Sequence, residues 1–284
     1  MKILLTGRNG QLGWELERSL SGLGEMAAFD RTALELVDAD SIVRRVREVR
    51  PDVIVNAAAY TGVDAAESDE QAAFAVNSHA PGILAEEAKI AGALLVHYST
   101  DYVFDGRKSD PYLESDPVGP LNAYGRTKLA GEQAVIASGC RYLILRTSWV
   151  YAARGRNFFL TILRRAAEGG KLRVVADQHG APTSATSIAR ATTELLRSRR
   201  TLEGARLYHL SSSGATSWHG FAREIVAIAR LATPVGPIAT TEYPTPALRP
   251  QHSMLDNGRI QADFGIALPD WRVGLAEVFS QLPR

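Results

Sequence analysis

Two side chains in this 284-residue sequence are spaced for acid–base chemistry: Tyr124 and Lys128, within Tyr124-Gly125-Arg126-Thr127-Lys128. Four positions apart on a helix, they share one face. A tyrosine near its free pKa of about 10 is a poor acid–base group at neutral pH. A neighbouring ammonium favours the phenolate, so Lys128 is expected to lower the Tyr124 pKa and make the hydroxyl a usable proton donor. Only five of the 32 basic residues are lysines, so a Lys at this spacing carries more weight than an Arg would. On its own the pair would also fit an exposed helix face. Thr100, in Ser99-Thr100-Asp101-Tyr102-Val103-Phe104, follows an apolar run at residues 94–97. A hydroxyl at the end of such a strand can hydrogen-bond a substrate oxygen beside Tyr124, or merely cap a turn.

A second constellation opens the chain. Gly7-Arg8-Asn9-Gly10-Gln11-Leu12-Gly13 follows the first apolar run and precedes a helical pattern. Glycines three apart let the backbone turn tightly and approach a pyrophosphate, with helix N-terminal amides aimed at the phosphates. The bland alternative is an ordinary glycine-rich turn. Asp30 ends the second apolar run, where an acidic residue takes the ribose hydroxyls of NAD. Arg31 and Arg8 could instead neutralise the 2′-phosphate of NADP. Both signals are present, so use of either cofactor is expected.

Certain elements must position these groups. Short apolar runs at residues 3–5, 27–29, 53–55, 94–97 and 142–145 read as buried parallel strands. Helical patterns at 11–23, 41–49, 69–90 and 124–137 lie between them, the second capped by Asp40 or Ser41 and closed by Pro51. Pro81-Gly82 predicts a kink or break in the third. The expected fold is α/β, a doubly wound parallel sheet (Rossmann) with a smaller, irregular C-terminal substrate-binding lobe. Residues 1–150 would form the dinucleotide-binding domain and 151–284 mainly the substrate-binding lobe. Segments near 172–212, including runs at 172–175 and 207–210, are candidates to rejoin the first sheet.

The remaining composition mostly excludes. A net charge of +1 offers no general basic surface for nucleic acid or membrane. One cysteine, Cys140, rules out an internal disulfide and fits a reducing compartment. No signal peptide or membrane-spanning run is visible, so a soluble cytoplasmic protein is expected. The six histidines are scattered without metal spacing and read as structural.

With Gly7–Gly13, Thr100 and the Tyr124/Lys128 pair in hand, the sequence resembles the extended short-chain dehydrogenase/reductase superfamily. Within it the chain is similar to the dTDP-4-dehydrorhamnose reductase family. The matching stretches are residues 56–64, 97–104, 122–132, 146–151, 177–184, 243–250 with Ser253, and 269–271, spread over nearly the whole chain. The resemblance implies hydride transfer from NADPH or NADH to the C4 ketone of dTDP-4-dehydro-L-rhamnose, with Tyr124 donating the proton. Lys128 would hold the nicotinamide ribose and Thr100 would orient the ketone. Cofactor contacts are implied for Gly7, Gly10, Gln11, Leu12, Gly13, Asp30, Arg31, Glu35, Leu36, Ala59, Tyr60, Thr61 and Tyr98, besides Tyr124 and Lys128. Substrate contacts are implied for Val63, Asp64, Thr100, Asp101, Tyr102 and Trp149, with Arg249 for the diphosphate. Glu35 stands where the family more often has Asp. Some members form a dimer through glutamate-held magnesium. Glu15 matches one such glutamate, but Thr186 replaces another, so no bound metal is expected in a monomer or homodimer. Thr100 is followed by Asp101-Tyr102 rather than Asp-Glu, which separates the chain from dehydratases. An epimerase, which consumes no net NAD(P)H, and a non-catalytic cofactor-binding regulatory subunit are the other readings.

Overall fold

A computed structural model describes residues 1–198, 201 and 204–282. Six strands form one sheet: β1 (Lys2–Thr6), β2 (Glu25–Phe29), β3 (Val53–Asn56), β4 (Leu94–Thr100), β5 (Arg141–Thr147) and β6 (Ala205–His209). Their order is β6-β5-β4-β3-β1-β2 and every pairing is parallel. The chain runs outward from β1 to β2, then crosses back to β3. The strand order therefore reverses at β1, opening a crevice at the carboxyl ends of β1 and β3.

Strand residues alternate between two cores. Ile3, Leu5, Val53 and Val55 pack with Leu12 and Leu16 of helix Gln11–Ser19 and Ile188 and Leu195 of helix Ala185–Arg197. Leu4, Ile54, Leu95 and Ile144 pack on the other face. There they meet Ile42 and Val46 of helix Ala39–Val49, Leu84 of Ala80–Ala91, and Val135 of Ala123–Ser138. Burial on both faces explains the uninterrupted apolar runs. A third core holds Tyr151, Phe159, Phe221, Trp271 and Leu275, gathering helices Phe158–Ala167, Trp218–Ile228 and Trp271–Ser280.

Several expectations are corrected. Strand Leu172–Val175 does not rejoin the first sheet; it pairs with Val235–Ile238. Ala205–His209 does rejoin it, beside β5. Asp38, not Asp40 or Ser41, caps the second helix, its carboxylate accepting from the Asp40 and Ser41 amides at 3.0 and 3.2 Å. An N-cap acceptor must precede the amides it receives, and this helix begins at Ala39. The stretch at 69–90 breaks one turn before Pro81: a wide π-helical turn, Ala75–His79, separates Glu70–Phe74 from Ala80–Ala91. Pro81 has no N–H to offer the carbonyl of Asn77, so the regular ladder cannot continue. No helix among the described residues is long and apolar enough to cross a membrane.

Candidate active site

A cavity of about 1280 Å³ follows the carboxyl edge of the sheet, from the Gly7 loop past β3 and β4 to Trp149, Trp218 and Arg249. Every implied cofactor and substrate residue except Gly13 lines it. Gly13 acts one step back: a Cβ there would overlap the carbonyl oxygen of Gly7. Gly7 itself has φ +70°, and a Cβ would lie 2.9 Å from the Ala58 backbone. Only glycine allows that turn and that approach. Gly10 precedes helix Gln11–Ser19 without a side-chain cap, and the first turn holds no acidic residue. Its amides are left for an anion.

At the adenosine end, Asp30 accepts from the Thr32 hydroxyl at 2.7 Å and the Ala33 amide at 3.1 Å, which hold its carboxyl below the usual range. Arg31 faces the cavity and pairs with Glu35 at 3.1 Å. Arg8 points elsewhere. Its guanidinium meets Glu17 at 2.6 Å, and it is not among the lining residues. Of the two arginines considered for a 2′-phosphate, the structure brings only Arg31 to the site.

Thr100, Tyr124 and Lys128 come together from β4 and helix Ala123–Ser138. Asn122 starts that helix, its carboxamide oxygen accepting from the Gly125 amide at 2.8 Å. Thr100 and Tyr124 both line the cavity, the Thr100 hydroxyl favouring the Tyr124 phenolate. The Tyr124 ring meets Tyr102 edge-on, with centroids 5.9 Å apart. Lys128 is 2% exposed and donates to the Tyr98 carbonyl at 2.6 Å, with His97 Nε2 at 3.4 Å. Burial lowers its pKa to about 8, opposed by Glu132. His97 stays neutral, held well below its ordinary pKa by burial and by Lys128.

The expected depression of the Tyr124 pKa is not what the site produces. Burial pushes the hydroxyl up to about 12, with Thr100 opposing and Asp101 adding to the rise. The Lys128 ammonium is turned to the Tyr98 carbonyl instead. Tyr124 is therefore held protonated at neutral pH. Asp101 is also buried, and its carboxyl rises to about 7 for the same reason.

At the far end, Arg249 lines the cavity already paired with a carboxylate. It grips Asp64 with two bonds of 2.9 and 2.7 Å. That pair holds the Asp64 carboxyl low and ties the 245–249 loop to helix Val63–Ser68. Arg156 and Arg165 also line the cavity, and nothing in their spacing marked them. Trp149 has φ +46° and stacks on Trp218, ring centroids 3.5 Å apart and planes within 2°. Gly180 lies beneath it, where a Cβ would stand 2.5 Å from the indole. Trp218, the first residue of helix Trp218–Ile228, lines the same end of the cavity. Asn77, buried beneath the Ala59–Thr61 segment, was missed altogether.

Among the described residues, no group of three or more His, Cys, Asp or Glu could hold a metal. Glu15 is buried, which raises its pKa, and Thr186 opposes the rise.

A parallel sheet with a glycine turn at its switch point and a Tyr–Lys helix at its carboxyl edge defines a Rossmann-type enzyme of the reductase class. Residues 1–283 match the RmlD substrate binding domain family. A dTDP-4-dehydrorhamnose reductase of Burkholderia thailandensis is 53% identical, covering 97% of each chain. A solved structure of that name from Clostridium acetobutylicum superimposes with a TM-score of 0.95 at 37% identity, covering 99% of each chain. Another, from Bacillus anthracis in complex with NADP, gives 0.94 at 34% identity and the same coverage. The chain belongs to the dTDP-4-dehydrorhamnose reductase family.

Proposed function

We propose that this chain uses NADPH or NADH to reduce the C4 ketone of dTDP-4-dehydro-L-rhamnose, giving dTDP-L-rhamnose. The observation that carries the reading is the convergence of Thr100, Tyr124 and Lys128 on one cavity with the Gly7 turn. The residues suit a dinucleotide. Gly7 and Gly13 leave room for a close pyrophosphate, the uncapped helix end favours its charge, and Asp30 faces the ribose position. With Arg8 occupied by Glu17, a 2′-phosphate would be met by Arg31. The bound nicotinamide supplies the hydride.

The chain's own residues supply the rest. Tyr124, protonated at neutral pH, donates to the oxygen that becomes an alkoxide. Thr100 holds that oxygen and Tyr124 in line. Lys128, fixed by the Tyr98 carbonyl, presents its remaining donors to the ribose and a positive charge to the phenolate left behind. Trp149 walls the sugar, with Val63, Asp64, Asp101 and Tyr102 completing the pocket. In this reading residues 1–150 with β6 bind the dinucleotide, and most of 151–284 binds the nucleotide-sugar. The protein works in the cytoplasm as a monomer or homodimer, without a metal.

The test follows NAD(P)H absorbance with dTDP-4-dehydro-L-rhamnose for wild type and Tyr124→Phe. Wild type should oxidise the cofactor, and the variant should lose about 10²- to 10⁴-fold in kcat. Undiminished turnover by Tyr124→Phe removes the mechanism. Turnover only of a different nucleotide ketosugar removes the substrate assignment.

A further inference from the structure

The adenosine end of the cavity holds one cation between two carboxylates. Asp30, Arg31 and Glu35 all line it, and all belong to the segment that follows β2. That segment is closely tied. The Asp30 carboxylate accepts from the Thr32 and Ala33 amides at 3.1 Å each, and the Leu34 amide donates to the Asp30 carbonyl at 3.0 Å. The Asn9 carboxamide donates to Asp30 at 3.2 Å, which sets the turn against the glycine loop. Leu34 and Leu36, both buried, anchor the chain on either side of Glu35.

Arg31 is the one cation in the sequence from Asp30 to Val37. Its Nε donates to Glu35 Oε2 at 3.1 Å, and the Val37 amide lies 3.4 Å from Glu35 Oε1. The Arg31 side chain is 83% exposed and that of Glu35 36%. An ion pair so open to water contributes little and gives way to a stronger partner. A 2′-phosphate is such a partner, because its charge and oxygens match the guanidinium fork. A ribose 2′-hydroxyl carries no charge and leaves Arg31 on Glu35.

We propose that Glu35 is a specificity-determining residue: it holds Arg31 in place of the 2′-phosphate and so lowers the preference for NADPH over NADH. This rests on the dinucleotide reading of the cavity. With NADH the pair stays closed, and Asp30 faces the free ribose hydroxyls. With NADPH, Arg31 leaves Glu35 for the phosphate, and the Glu35 carboxylate is left unpaired beside a second anion. Glu35 thus opposes NADPH twice, through the pair that must open and through the repulsion that follows. NADH meets neither. One turn can therefore take both cofactors, where a free Arg31 would select the phosphorylated one.

The test is a fluorescence titration of NADPH and NADH, without the sugar, into wild type, Glu35→Gln, Arg31→Met and the double variant. Glu35→Gln keeps the side-chain length and removes the charge. It should bind NADPH about three- to tenfold more tightly and leave the Kd of NADH unchanged. Added salt should shrink that gain. Arg31→Met should weaken NADPH by about tenfold or more and spare NADH. In the Arg31→Met background, Glu35→Gln should gain less than it does beside Arg31, because no pair remains to open. An equal gain in both backgrounds overturns the proposal. So does a Glu35→Gln variant that shifts both dinucleotides alike, which would make Glu35 an ordinary adenosine contact. If wild type binds both dinucleotides and Glu35→Gln leaves their ratio unchanged, the proposal alone fails. If wild type binds neither, the dinucleotide reading of the cavity fails and the proposal falls with it.

Discussion

The side chain of Asn77 closes both backbone groups of Tyr60: the Tyr60 amide donates to Oδ1 at 2.8 Å, and Nδ2 donates to the Tyr60 carbonyl at 3.0 Å. Nδ2 also reaches the Thr127 hydroxyl at 3.1 Å, on the helix that carries Tyr124 and Lys128. One amide therefore sets the cofactor-facing Ala59–Tyr60–Thr61 segment against the catalytic helix. Leaving those groups buried and unpaired costs about 1–3 kcal/mol each.

Asn77→Ala should therefore lower Tm by several degrees and weaken NADPH binding about tenfold. Calorimetry and fluorescence titration check the two effects. Lost stability with wild-type cofactor affinity would reduce Asn77 to a helix-packing residue.

Trp218 supports Trp149 in a backbone conformation that non-glycine residues seldom adopt. A stacked aromatic pair contributes about 0.5–1.5 kcal/mol beyond its buried area. Trp218→Ala should raise KM for the nucleotide sugar by up to about tenfold and leave the Kd of NADPH unchanged. Loss of the coupled indole signal in the circular dichroism spectrum should accompany it. An equal loss of cofactor affinity would show that the pair serves the whole cavity and not its sugar end.

Lys128 makes stability depend on pH. Its pKa in the fold is about 8, against an ordinary 10.5, so between those values the unfolded chain holds a proton that the folded chain has released. Stability from this group is thus lower below the folded pKa and rises with pH across the window. Relative to Lys128→Met, wild type should gain about 3 kcal/mol from the lower to the upper end of that window. Urea unfolding at both ends measures it, and a constant difference between the proteins would refute the assignment.

Much of the frame was legible because it rests on local pattern. β1, β3 and β4 are buried on both faces and read as continuous apolar runs; the Gly7 loop and the Tyr124–Lys128 spacing lie within single turns. What escaped depends on contacts far apart in the chain. Asn77 faces Tyr60 only because the π-helical turn before Pro81 rotates it there. The ion pair of Arg249 with Asp64 spans 185 positions, beyond the reach of any local pattern. The direction of the Tyr124 shift depended on burial, which spacing does not encode.

Helix Ala185–Arg197, β6 and the side chains of Ile260, Ile266 and Leu268 all belong to the core that begins with Ile3 and Leu5. A ribosome making this chain releases the glycine turn first and the residues that seal its sheet nearly last. Until β6 has emerged the nascent first half carries an unpaired β5 edge, and until position 268 has emerged an open apolar face, the surfaces on which newly made chains misassociate. The dinucleotide half is thus not a portable module: grafted onto another lobe at residue 150, it would leave its own core behind.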